Sequence, residues 1–132
     1  MIKGFELDTK PLSDEELKIA EVMRQAFNTY PKGAKHKKKA YYFIEKLKTL
    51  NFKVSEPRFR KLIQHLRVND LTIGLCSDGS GYWIAETAEE LTDTIMSLRD
   101  RIINQTATFN ALKRQLIKNF SPASDNQAHP LF

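Results

Sequence analysis

The stretch from Val54 to Ala85 constrains the fold more than any other part of the chain. It reads Val-Ser-Glu-Pro-Arg-Phe-Arg-Lys-Leu-Ile-Gln-His-Leu-Arg and continues Val-Asn-Asp-Leu-Thr-Ile-Gly-Leu-Cys-Ser-Asp-Gly-Ser-Gly-Tyr-Trp-Ile-Ala. Ser55 is a good helix N-cap, with acidic Glu56 behind it and Pro57 in the first turn, where a missing N–H costs nothing. Phe59, Leu62, Ile63 and Leu66 then fall at helical spacing and define an inward face. Arg58, Lys61, Gln64 and His65 are left outward, with Arg60 and Arg67 flanking. Thr72 to Ser77 and Tyr82 to Ala85 are strand-like. Between them, Asp78-Gly79-Ser80-Gly81 supplies residues that tolerate the positive φ of a tight hairpin. A basic helix thus runs almost directly into a β-hairpin.

Charge singles out the same region. Residues 32–67 hold twelve Lys or Arg against two acids, Glu45 and Glu56, a net +10, whereas the whole chain of 132 residues is only +5. A plain solvated surface can be this basic. Here the cluster surrounds an exposed helix face, and that asymmetry suggests a surface for a polyanion.

The flanking elements are legible from caps and periodicity. Residues 1–11 read as a short leader. Ser13-Asp-Glu-Glu16 is a capping box, and Ile19, Val22, Met23, Ala26, Phe27 and Tyr30 form one apolar face behind it. Pro31 and Gly33 end this helix. After the basic connector Lys32–Lys39, a second helix is expected from about His36 to Leu50. Tyr42 or Phe43, with Ile44, Leu47 and Leu50, would face the core, and Asn51-Phe52-Lys53 would make the turn.

Thr87-Ala-Glu-Glu90 is a second capping box and opens the longest helix, expected over Ala88 to Lys118. At ~1.5 Å per residue it would run about 46 Å. Leu91, Ile95, Leu98, Ile102, Gln105, Phe109, Leu112 and Leu116 recur along it at alternating spacings of four and three. That alternation is a coiled-coil seam, in which a single polar member such as Gln105 often fixes register. Packing back on its own domain is the other reading. The length of the last turns favours a helix-mediated dimer. The expected organisation is a domain over 1–86, a dimerisation helix over 87–118 and a flexible tail over 119–132.

Little here suggests a reaction centre. His36, His65 and His129 are widely spaced and Cys76 is the only cysteine, so neither zinc-ligand spacing nor a disulfide framework is present. The hairpin glycines lack the Lys-Ser/Thr of a phosphate loop. Asp14, Glu15, Glu16, Glu89 and Glu90 are explained as helix N-terminal acids. Trp83 reads as hairpin core, or as a base-stacking ring. No acid–base pair or nucleophile triad is evident. The expectation is a non-enzyme without metal or cofactor. One cysteine fits a reducing compartment. No apolar run reaches the ~20 residues of a membrane span, and the N-terminus lacks a signal-peptide core, so a cytoplasmic location is expected.

Phe59, Leu62, Ile63, Leu66 and Arg67, followed by Ile73, Gly81 and Tyr82, resemble the recognition helix and wing of the winged helix-turn-helix of bacterial repressors, such as the N-terminal domain of the biotin operon repressor. Over residues 36–118 the chain also looks like small phage and prophage proteins in which a winged helix precedes one long helix. The resemblance implies a mostly α (α+β) fold that binds double-stranded DNA in a bacterial host and regulates transcription or replication. It places residues 55–67 in the major groove. Arg58 and Gln64 are the first candidates for base contacts, because Arg reads guanine and Gln reads adenine by paired hydrogen bonds. Lys61 and His65 share their exposed face. Lys35, Lys37, Lys38, Lys39, Arg60 and Arg67 are candidates for phosphate, with Lys61 again among them. The chain departs from the family at the tip Asp78–Gly81, which carries no Arg or Lys to enter a minor groove. The competing expectation is a protein-interaction module built on the same scaffold. Gln127-Ala-His-Pro-Leu131-Phe132 resembles a bacterial sliding-clamp-binding peptide, with Gln127, Leu131 and Phe132 at the matching positions; a chance tail ending is the alternative.

Overall fold

The computed structural model describes residues 11–120. The protein is mostly helical, with one two-stranded antiparallel hairpin and a long C-terminal helix: α1 (Asp14–Thr29), a 3-10 turn (Ala34–His36), α2 (Ala40–Thr49), α3 (Glu56–Val68), β1 (Leu75–Asp78), β2 (Gly81–Ile84) and α4 (Ala88–Asn119). This is the expected α+β class. The chain divides into two units between Thr94 and Ile95, inside α4.

In the first unit, α1 and α3 start where their caps dictate. The Ser13 hydroxyl accepts from Glu16 N–H while the Glu16 carboxylate accepts from Ser13 N–H, closing the capping box of α1. Ser55 Oγ accepts from Arg58 N–H at the start of α3. The ends of α2 and α3 close alike, with a residue at positive φ just past the helix: Asn51 (68°) and Asp70 (55°). Phe52 N–H reaches Leu47 O, Asn51 N–H reaches Lys48 O, Leu71 N–H reaches Leu66 O, and Asp70 N–H reaches Arg67 O. Each is a Schellman closure, and Asn and Asp tolerate the left-handed conformation better than most residues.

The core gathers Ile19, Ala20, Met23 and Phe27 of α1, Leu47 of α2, Phe59, Leu62, Ile63 and Leu66 of α3, and Leu75 and Ile84 of the hairpin. The inward stripe of α3 is therefore as its periodicity requires. Phe43 is the aromatic hub, with ring centroids 5.2 Å from Phe27 and 5.9 Å from both Tyr30 and Phe59. Of the aromatic pair in α2, Phe43 packs on this core. Leu50 does not: it caps the helix as the chain turns away, and is 55% exposed.

Two further differences have backbone causes. The second helix begins at Ala40, because residues 32–38 pair with the hairpin instead. Gly33 N–H donates to Ile84 O, Lys38 N–H to Tyr82 O, and Tyr82 N–H to Lys38 O. Isolated bridges Lys32–Ile84 and Lys38–Tyr82 thus lay this connector along β2. The strands are also shorter than expected, pairing Leu75 with Ile84 through Asp78 with Gly81, so that Gly79 and Ser80 alone form the turn. Gly81, at φ 143°, needs glycine: a Cβ would collide with the Lys38 carbonyl.

In the second unit α4 continues to Asn119, close to its expected end. Along it Ile95, Ile102, Phe109, Leu112 and Leu116 are each more than half exposed. No helix among the described residues is long and apolar enough to cross a membrane.

Candidate nucleic-acid interface

The outer surface of α3 is set by what its inner surface buries. With Phe59, Leu62, Ile63 and Leu66 inward, the exposed stripe is Glu56, Arg60, Gln64 and Val68. Arg60 and Gln64 are one helical turn apart on it, and Arg60 makes only a long pair with Glu56, 3.9 Å, across open surface. Such a pair is easily exchanged for another anion.

Lys61 is the main correction to the expected site. It does not point outward: its side chain is 8% exposed and its ammonium lies 3.3 Å from Glu16 Oε1. Arg58 is half-exposed and leans the same way, with Nε 3.4 Å from Glu16 Oε2. The physical reason is Glu16 itself. The capping box fixes this carboxylate at the start of α1, where it is 4% exposed, and a buried carboxylate requires charge partners. Burial pushes the Glu16 carboxyl up. The Ser13 N–H and the Lys61 and Arg58 cations outweigh that and hold it below the ordinary carboxylate range. A base-reading role for Lys61 would require this pair to open. Arg58 could release Glu16 more easily.

Three other candidates brace the fold. Arg67 donates from Nε to Leu75 O at 2.9 Å and from its terminal nitrogen to Ser77 Oγ at 2.9 Å, tying the end of α3 to β1. Lys37 pairs with Asp78 at the hairpin tip and sits 4.4 Å above the Trp83 ring. His65 is half-buried, its Nδ1 3.2 Å from Asn69 Nδ2 at the helix end. Lys35, Lys38 and Lys39 are exposed in the connector and at the α2 N-terminus. The Lys38 ammonium and that of Lys46 flank the Tyr42 ring at 5.4 and 5.5 Å. Tyr41 beside them is 68% exposed. Arg60, Gln64, Lys35, Lys38 and Lys39 are therefore the candidates left on open surface. Four of them are cations that can only donate, and Gln64 adds a neutral amide.

Glu90 is the residue whose structural role sequence reasoning missed. Beyond capping α4 it accepts from Ala34 N–H at 2.8 Å and Trp83 Nε1–H at 2.9 Å with one oxygen. The other accepts from Glu86 N–H and Thr87 N–H. It therefore joins the connector, the hairpin and the long helix through one carboxylate. Burial again acts to raise its pKa, and these donors hold it low. The available signal was a capping-box glutamate three residues after its Thr and seven after a strand tryptophan. Trp83 itself is buried, which makes it hairpin core and removes the base-stacking alternative. Among the described residues no group of three or more His, Cys, Asp or Glu is placed to hold a metal ion. Gln127, Leu131 and Phe132 lie outside the described residues. Comparison of the chain with known protein families, with curated proteins and with solved structures finds no match.

Proposed function

We propose that this chain is a winged-helix protein that binds double-stranded DNA site-specifically and acts as a phage- or prophage-type regulator of transcription or replication. In this reading α3 enters the major groove. Arg60 and Gln64 take the leading base-reading positions, with Arg58 reaching the groove when it leaves Glu16. Lys35, Lys38 and Lys39 hold phosphate. The observation that carries the reading is the division of α3: one stripe locked into the core, and the opposite stripe exposing Arg60 and Gln64, in a domain whose connector also exposes Lys35, Lys38 and Lys39. The order helix, connector paired with the hairpin, helix, helix, hairpin is the order a winged helix uses, and supports it. Arg67 and Lys37 would act mainly by fixing the hairpin against α3. The long helix α4 would bring two copies together, so the site would be an inverted repeat.

The test is selection of bound sequences from random duplex DNA, followed by Arg60→Ala and Gln64→Ala. Each should cost about 1–3 kcal/mol on the selected site and relax one position of it. Unchanged affinity in the double variant would remove α3 from the groove.

A second reading is favoured by one observation: Glu16 engages two cations of α3 and offsets one unit of their charge, leaving that helix less basic than its sequence suggests. The domain would then be a protein-interaction scaffold, with the tail docking on the replication sliding clamp. Deleting Gln127–Phe132 would abolish clamp capture and spare DNA binding.

A further inference from the structure

We propose that α4 pairs with α4 of a second copy of this chain, and that the two run antiparallel. The inference rests on the reading of α4 as a dimerisation helix; it adds direction and register.

Charge sets the direction. Residues 88–100 carry Glu89, Glu90, Asp93 and Asp100 against Arg99 alone. Residues 101–119 carry Arg101, Lys113, Arg114 and Lys118 and no acid. The helix is thus an acidic first third followed by a basic remainder. A parallel pair would set the acidic starts beside each other and the basic ends beside each other, with the uncharged stretch 102–112 between them. An antiparallel pair sets each acidic start beside the partner's basic end, and the two macrodipoles also oppose each other favourably.

The seam sets the register. Ile95, Ile102, Phe109, Leu112 and Leu116 lie between 54% and 63% exposed and Leu91 and Leu98 are half-buried, so most of the stripe is open to a second helix. Antiparallel packing places the first seam position of one helix against the fourth of the other. The full-length match then layers Leu91 on Leu116, Ile95 on Leu112, Leu98 on Phe109, and Ile102 on Gln105, twice over. Every apolar layer is filled. Phe109 meets a leucine instead of a second bulky ring. Gln105 lies next to the centre, where its amide can reach solvent past Ile102. A parallel pair would satisfy Gln105 better, amide to amide, but would stack Phe109 on itself and leave both charge clusters opposed. Arg99 and Arg101 flank the seam opposite Thr106 and Thr108, so no like charges meet across it in the antiparallel register.

The test uses the full-length protein with one spin label. Cys76 is fully buried and stays in place, with labelling checked at one label per chain. At ~1.5 Å per residue, labels on Asp93→Cys should lie about 35 Å apart in the antiparallel pair and under about 20 Å in a parallel one. Labels on Asn104→Cys should lie under about 20 Å apart in either, because this position is near the centre, and so report pairing itself. A long distance at position 93 with a short one at 104 supports the proposal. Short distances at both overturn the direction. A monomeric mass without dipolar coupling overturns the pairing. A mass above two chains overturns the two-helix seam and assigns Met96, Ile103 and Ile117, which widen the apolar face on one flank, to a larger bundle. Titrating DNA into the same samples separates the two readings. Site-specific binding by a parallel or monomeric chain would leave the DNA reading standing. An antiparallel dimer with no DNA affinity would leave the pairing standing alone.

Discussion

A buried glutamate decides which cations of α3 are available. Glu16 is held by a cap hydrogen bond, by the nearly buried Lys61 and by the half-exposed Arg58. Removing one partner of such a pair strands the other charge away from water. Lys61→Ala should therefore lower stability by about 2–3 kcal/mol, toward the low end for a buried pair because Arg58 remains beside Glu16. It should change DNA affinity little once the protein is folded; thermal unfolding and a binding titration on the same sample check both halves. The pH dependence has a definite sign. The folded carboxyl titrates below its ordinary value of 4.5, so its stabilisation is complete above that value and is lost as pH falls through the folded one. Melting temperature should drop on the acid side of about pH 4.5. Glu16→Gln should start lower at neutral pH and show a flatter acid limb. An equally steep limb in the variant would assign the acid loss elsewhere, Glu90 being the next carboxylate held low by its donors. Neither glutamate looked unusual in sequence. Both occupy capping positions, where a local explanation suffices, and only the tertiary fold brings Lys61 and Arg58 to one and Trp83 to the other.

At the scale of elements, the connector along β2 is the feature that organises the first unit. It sets Lys37 over Trp83 and leaves Lys38 and Lys39 outward. The contact at Gly81 is close enough that Gly81→Ala would force the Lys38 carbonyl away while straining the backbone at positive φ. The cost should be about 2–4 kcal/mol, combining overpacking with an unfavourable conformation. Chemical denaturation would measure it, and amide exchange at Lys38 should quicken in step. Helices with side-chain caps and a clean apolar period were legible: α1, α3 and α4 begin where Ser13, Ser55 and Thr87 say they must. The start of α2 was not, because Lys39 offers no cap side chain and the preceding lysines have neither helical nor strand periodicity. Their backbone, not their side chains, pairs with Tyr82, and a charge run carries no trace of that. The exposed face of α3 was legible only by subtraction from its apolar stripe. The difference between Arg60, on open surface, and Lys61, one residue on and buried, depends on which neighbour the helix packs against. In α4 the seam pattern was plain. Ile102→Asp should place a carboxylate in the open stripe and shift sedimentation to the monomer; an unchanged mass would remove the seam.

At the scale of the whole chain, the question is how much of the net +10 over residues 32–67 is free to act on a polyanion. Lys37 is matched by Asp78, and Arg58 and Lys61 share Glu16, so these three cations meet two carboxylates within the fold. Arg60, Lys35, Lys38 and Lys39 remain on open surface with Lys32, Lys46, Lys48 and Lys53 around them. If about five of these reach phosphate in each copy, log affinity should fall with log salt at a slope near −4.5 per bound copy, several hundred-fold per copy between 50 and 200 mM, and about twice as steeply for two copies binding as one dimer. The slope separates roles that affinity alone does not. Lys39→Ala should weaken every sequence alike and make the slope shallower by about one unit per bound copy, because it removes one released counterion from each. Gln64→Ala should leave the slope unchanged and lower affinity only for the selected site, since a neutral amide releases no ion. Lys61→Ala should also leave the slope unchanged, because its charge is already spent on Glu16. A full unit of slope lost from Lys61→Ala would mean that the Glu16 pair opens on DNA and hands its lysine to the backbone, and the groove-facing surface of α3 would then include the helix side now turned toward α1.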